Sequence, residues 1–517
     1  MNQKIAMKKP LFIVISLCIS VVSKAQFGYY EDALRFSSGN YSLGSTARMQ
    51  GIGGAQVSLG GDLSSAVSNP AGLGFFNNSV FVVSPSLGFS TINSDYGLQF
   101  GSEFDLVSSA ETFRNDFNFA NVGVVLNFDK GRFTEDKFKG GAFAISLNRS
   151  NGFRMDRSYE GANDYNSLAD ALAIQAGTIG SDDLGELAYA AYDQYLISPI
   201  IENGNIQRYE ADFDGFPIQS ENIRERGSHY QMNFAWGGNY DDRLYFGGGM
   251  GLQFLNYRSE RTYEEFDFVV FDGDGNVIGD DTRLNGFTLY DEFDVRGAGV
   301  NFNAGLIARP VDFMTVGVSY TSPSFYSFDE ESYLDLDADW KADAFFADTV
   351  EIGDIPFYES PLFINSYTFR SPSKVALGTS FFIGKSGFLS GDAEFINYAN
   401  GTFNSRDFSA QEDNQVIRDI YQSVMNIRVG GEYRFDSFRL RAGYAIFPSP
   451  YKDTNLNEQT NITFGVGYRT PDYFLDLAIV NSESTIGYQP YEIVDAQPLV
   501  NSEIRTTNVT FTFGLNF

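Results

Sequence analysis

The chain has 517 residues, a formal net charge of −30, 50 Phe, 30 Tyr, 52 Gly and one cysteine. So acidic a chain disfavours nucleic acid as a partner, because phosphates demand a basic footprint. A composition this aromatic and glycine-rich, with no stretch long and apolar enough for a spanning helix, points to an exported β-barrel with solvated acidic loops.

The N-terminus carries Lys4, Lys8 and Lys9, then the apolar run from Leu11 to Val22, then Ser23-Lys24-Ala25. These are the three regions of a secretory signal peptide, so residues 1–25 are predicted to be a cleaved leader and the mature chain to start near Gln26. Cys18 falls inside the leader, and the bulky Leu17 before it argues against a lipid-anchored start. The mature chain then has no disulfides and no thiolate chemistry.

Residues 26–77 read as an N-terminal extension and a compact plug. The run 44–76 is dominated by small residues, among them Gly51, Gly53, Gly54, Ala55, Gly60, Gly61, Ser64, Ser65 and Ala66. Such a segment packs closely on other backbone, while Ile52, Val57, Leu59, Leu63 and Val67 are too apolar for a linker. Pro70 fixes its own φ and holds Asn69 out of the helical region, which makes Asn69-Pro70-Ala71 a rigid elbow. The elbow is expected to anchor the plug near the first strand, with upstream residues free to shift at modest cost.

This run resembles the N-terminal hatch of the FadL-type outer-membrane transporters of long-chain fatty acids. Gly53-Gly54-Ala55, Asp62 and Asn69-Pro70-Ala71-Gly72-Leu73 match that hatch in order and spacing, with Gly61-Asp62 where the family often has two acids. The resemblance implies a 14-stranded antiparallel barrel, a hatch with Gly53, Gly54, Asp62, Asn69, Pro70 and Ala71 as its gating residues, and passive uptake of hydrophobic molecules. It also implies a monomer in outer-membrane lipid. Two other classes stay open: a barrel that serves a protein secretion system, as some FadL-like barrels do, and a closed surface or adhesion barrel.

From residue 78 onward, period-two alternation predicts strands near 78–92, 118–129, 140–152, 228–240, 243–260, 294–309, 312–328, 367–384, 387–402, 423–435, 437–450, 459–469, 472–482 and 504–517. The last is the clearest, with Thr507, Val509, Phe511, Phe513, Leu515 and Phe517 on one face. Its terminal aromatic resembles the signal read by the barrel-assembly machinery. Connections after even strands are short and those after odd strands long, which places both termini in the periplasm. The connection 153–227 is too long to lack structure. A capping box at Ser167 and Asp170 and acids after Ser181 predict one or two short helices, packed on other loops or forming a landing groove for a hydrophobic substrate.

Chemistry-bearing residues are few. Asp272, Asp274 and Asn276 begin like a calcium loop, but the sixth-position glycine is missing and Arg283 stands where the glutamate belongs, so a solvated hairpin tip with weak calcium affinity is expected. His229, the sole histidine, cannot use adjacent Ser228, since strand neighbours point to opposite faces. No enzyme activity, cofactor or metal site is expected. Alternation turns Arg428, Glu432, Arg434, Arg439 and Arg441 inward, along with Asp392 and Glu394. Arg428, Arg439 and Arg441 either pair with Asp392, Glu394, Glu432 or Asp62 as lumen struts, or bind a substrate carboxylate, for which a guanidinium fork is well shaped.

Overall fold

The structure, a computed structural model, describes residues 29–37 and 44–517 apart from 102, 129, 131–135, 272–276, 280–282, 343, 347–349, 353–354 and 453. The leader and the calcium-loop candidates Asp272, Asp274 and Asn276 lie outside the described residues. No described helix is long and apolar enough to cross a membrane; strands do the crossing.

Alternation builds a wall of 14 antiparallel strands. They are β1 (Val80–Phe100), β2 (Glu103–Asn127), β3 (Phe138–Gly152, continued by Met155–Ala162), β4 (Phe216–Tyr240), β5 (Leu244–Phe271), β6 (Leu284–Val311) and β7 (Met314–Thr321 and Phe325–Trp340). Then come β8 (Phe363–Arg370 and Lys374–Ile383), β9 (Gly387–Asn397 and Thr402–Ser405), β10 (Ser423–Phe435), β11 (Phe438–Phe447), β12 (Gln459–Arg469), β13 (Tyr473–Tyr488) and β14 (Gln497–Asn516). β14 pairs with β1 from Val80↔Asn516 to Gln99↔Gln497, which closes the barrel and removes the sheet edge.

Outward side chains form an apolar belt. On β5 it runs from Leu244 to Phe254, about 26 Å at ~3.4 Å per residue and ~40° tilt, the height of a membrane's apolar band. Short turns close one end. Asp241 and Asp242, both at positive φ (59° and 54°), are the central residues of a tight turn between the paired Tyr240 and Leu244.

Several strands run far past their predicted ends. Residues 93–117, expected as a loop, extend β1 and β2, and β4 to β7 rise similarly above the belt. There the outward face is largely polar and the inward face mixes buried charged groups with aromatic and aliphatic ones, so the hydrophobic period fades although the hydrogen-bond ladder continues. Conversely, β7 and β8 are interrupted at Pro323 and Pro372, because proline cannot donate to a ladder, and β9 is interrupted by the 3-10 turn Tyr398–Asn400. Ser324 and Ser371 bridge the two proline breaks side by side.

The segment 153–227 holds the β3 continuation, helices α4 (Leu168–Ala176) and α5 (Glu186–Asp193), and a hairpin of Ile197–Glu202 with Asn205–Ala211. Ser167 and Asp170 form the predicted capping box. The Ser181 start is wrong by about a turn: Ser181–Asp183 is a single 3-10 turn and α5 begins at Glu186. Both helices bury their apolar faces on Tyr263, Leu289, Leu336 and Trp340 of the raised strands, so these faces pack on other loops and offer no open groove.

Candidate functional site

The lumen is filled at two levels. In the lower half lies the hatch, which includes α2 (Ala47–Gln50), α3 (Ser65–Ser68) and a 3-10 helix over Pro70–Phe75. At least eleven hydrogen bonds tie it to eight strands. Asp392 accepts from the main-chain N–H of Gln56 (2.6 Å) and Val57 (2.9 Å). Asn121 and Asn148 both donate to the Gly44 carbonyl (3.3 and 2.8 Å). Wall and plug approach main chain to main chain, as the small residues foretold. Gly53 has φ +67°, and a Cβ there would press on the Tyr444 N–H group.

Asn69 donates to the carbonyls of Val57 (2.7 Å) and Val318 (3.3 Å) and accepts from Ala71 N–H (3.2 Å). The Asn69-Pro70-Ala71 elbow packs on β4 to β7, where Phe75 stacks on Tyr245 at 3.7 Å, and not on the first strand as expected. The ties also run along the whole upstream plug, so the expectation of a loosely held upstream stretch fails: main-chain groups of small residues find partners everywhere. Asp62 works inside the hatch, accepting from the Thr46 hydroxyl (2.9 Å) and Ser64 N–H (3.0 Å).

The three arginine candidates are all engaged by the protein. Arg428 donates to Glu394 (2.7 Å), and Arg441 to Glu432 (2.8 Å) and Asp476 (2.6 Å). Glu432 also meets Arg434 (2.8 Å) and Arg48 of the hatch (3.6 Å). Arg439 donates to the carbonyls of Asp436 and Phe438, both at 2.7 Å, at the turn end. His229 is buried, 2.8 Å from Gln253 Oε1 and 3.2 Å from the Tyr326 hydroxyl, while Ser228 points away to Asn256.

Above His229 the lumen becomes an aromatic chamber. Phe153, Tyr257, Phe293, Tyr326, Phe328, Tyr367, Phe369 and Phe403 line it, with α6 (Gln411–Ile420) over one side. Helix α1 (Tyr29–Ser37) lies inside, burying Tyr29, Ala33 and Phe36, the i, i+4, i+7 spacing of one helix face. Tyr29 donates to Glu330 (3.2 Å), and Arg35 pairs with Asp32, lies 3.9 Å from Glu225 and sits over the Tyr257 ring. Burial pushes the Asp32 carboxyl up to about 6 despite Arg35. The sequence signalled this chamber only through its many aromatics, and the eight that line it come from six separate segments.

One line of the wall is not laddered. β2 pairs with β3 only over Asn121–Asn127 and Ala142–Asn148. Beyond, β2 pairs with β1 alone and β3 with β4 alone. Register shifts beside Arg149 and beside Ser84 add a residue to each strand and bend the two apart. Side chains cross the seam instead: Arg149 reaches Asp116 at 3.3 Å, and Arg114 reaches Asp156. Phe153, a chamber residue, sits on β3 where the seam runs.

A closed, hatch-filled, 14-stranded β-barrel with an outward apolar belt is an outer-membrane barrel. No protein-family model matches the sequence, and no curated protein matches it. Among solved structures, a Pseudomonas aeruginosa FadL homologue is similar at 12% identity and a TM-score of 0.52, covering 92% of this chain and 98% of that one. The fold is therefore of the FadL type. The toluene transporters TodX of Pseudomonas putida (13% identity, TM-score 0.47, covering 91% and 98%) and TbuX of Ralstonia pickettii (14%, 0.45, 92% and 100%) are also similar, but at scores that add no argument.

Proposed function

We propose that this barrel lets small hydrophobic molecules pass from the loop end into the outer membrane, without chemistry. The loop end faces outward and both termini lie in the periplasm, as the turn and loop lengths suggest. The observation that carries the reading is the unladdered seam between β2 and β3, which starts at the aromatic chamber above a tied hatch. A molecule that displaces α1 meets rings, and its downhill path lies sideways into lipid rather than through the hatch. Long-chain fatty acids remain candidate substrates. Uncharged, ring-bearing molecules suit the chamber better, because it presents Glu225 and Glu330 and because Arg428 and Arg441 serve as struts below it.

The test is a crosslink. The pair Arg114→Cys and Asp156→Cys, joined by a short bis-maleimide in the otherwise cysteine-free mature chain, is expected to cut uptake of a hydrophobic probe into liposomes at least tenfold. Uptake unchanged with the link verified by mass spectrometry rules out the seam as the route. Uptake absent in the parent barrel favours the closed-barrel reading.

A further inference from the structure

Outside the barrel, just above the apolar belt, strand register brings three arginines into one row. Arg226 of β4 lies directly opposite Arg258 of β5. Gly152 pairs with Ser228 and Met155 with Glu225, which sets Arg154 of the β3 break level with Arg226. The row faces outward, because the flanking lumen residues Glu225 and His229 are buried while Arg154 is exposed and Arg226 half-buried.

Like charges directly opposite one another on a strand pair repel. Arg258 is compensated by Glu260 (3.1 Å) and Glu292 (2.8 Å). The other nearby acids are also engaged: Asp156 by Arg114, Asp294 by Arg296 (2.9 Å), and Glu260 again by Arg224 (3.8 Å). Among the described residues neither Arg154 nor Arg226 has an acidic or hydrogen-bonding partner. Two guanidinium groups thus stand unfilled, side by side, on a chain whose net charge is −30.

Their height identifies the partner. Below the row come the uncharged Ser228 and Asn256, and below those Tyr230 and Phe254, the top of the belt. Four residues of strand put the Arg258 backbone about 10 Å above Phe254, so a guanidinium reaching back towards the belt enters the headgroup layer, roughly 5–8 Å deep, that lies outside the hydrocarbon. Guanidinium forks fit phosphate oxygens in pairs. The acidic loops repel anions at range, but that field is screened within ~8 Å, so a local site can still hold one.

We propose that Arg154, Arg226 and Arg258 bind the phosphorylated headgroup of a lipid in the outer leaflet. The proposal rests on the orientation given above and is independent of what the barrel transports. The purified full chain is incubated with diphosphoryl lipid A in detergent, and bound lipid is counted by native mass spectrometry. The double variant Arg154→Gln/Arg226→Gln breaks no ion pair among the described residues and is expected to retain lipid at least tenfold less, with hydrophobic uptake unchanged. Arg258→Gln alone is expected to fall between the two. Inorganic phosphate at equal concentration is expected not to displace the lipid, and dephosphorylated lipid A is expected not to bind. Equal retention by the parent and the double variant overturns the proposal, as does equal binding of the dephosphorylated lipid. Full displacement by inorganic phosphate reduces the row to a free-anion site and also overturns it.

Discussion

Below the level of His229 the lumen is filled by main chain; above it, by rings. The hatch is held by directional bonds to eight strands. The chamber is held by one nine-residue helix lying against aromatic side chains. At ~1 kcal/mol for each hydrogen bond, moving the hatch as a unit costs on the order of 10 kcal/mol. Helix α1 has one buried face, a hydroxyl bond to Glu330, a hydroxyl bond from Tyr421 to its Tyr30 carbonyl (2.8 Å) and a cage around Arg35. A hydrophobic ligand can replace what the rings give α1, but nothing apolar can replace what the wall gives the hatch. The contrast teaches that the displaceable part of this lumen is the upper one, whereas the composition of the plug alone suggests the lower.

Removing residues 44–68 breaks the contrast most severely and carries the largest expected effect. The barrel should become a permanent pore, seen as a large conductance step in planar bilayers and as sensitivity to bulky antibiotics. A silent bilayer with folded protein would mean that something other than the hatch seals the lumen.

Next are the arginines of the lower half. Arg441→Gln takes the 2.6 Å partner from buried Asp476 and one of three arginines from Glu432, and should lower stability by about 3–5 kcal/mol, read as a drop in the heating temperature at which the band shifts on a gel. Arg428→Gln should behave similarly, through Glu394. Arg439→Gln touches only carbonyls at the turn end and should stay within ~1 kcal/mol. Equal effects at Arg441 and Arg439 would remove the distinction between strut and rim.

Phe36→Ala sharpens the other side of the comparison. It loosens α1 without touching the hatch, so uptake of a hydrophobic probe should rise several-fold while the gel shift stays put. Slower uptake would show that α1 helps to receive the ligand.

The smallest effect belongs to the loop cap. Burial raises the Asp212 carboxyl from 3.8 to about 6, with a Ser198 hydroxyl bond opposing. The folded cap therefore binds this proton more tightly than the unfolded chain does. Stability is gained as pH falls from 6 towards 4 and lost as pH rises through 6. Protease nicking of the segment 197–216 should be slower at pH 5 than at pH 7.5, and Asp212→Asn should flatten that difference.

The sequence by itself determined the barrel and the plug. Alternation of side chains is local, so the final strand, the inward set around Arg428 and Arg441, and the short turns could all be read residue by residue. So could the hatch, since a run of small residues before Asn69-Pro70 can only pack tightly. It did not determine where strands end above the membrane, because there the outward face is largely polar and the inward face mixes charged with apolar groups, which blurs the alternation. Nor could it assign partners. Asp392 looked like an arginine's counter-ion, yet it caps two main-chain N–H groups of the hatch, some 335 residues away. The aromatic chamber exists only because closure brings many strands around one lumen, and the β2–β3 seam and the Arg154–Arg226–Arg258 row only through the register of paired strands. A single-residue shift in pairing turns every side chain to the other face, so only the closed tertiary ladder decides which groups meet.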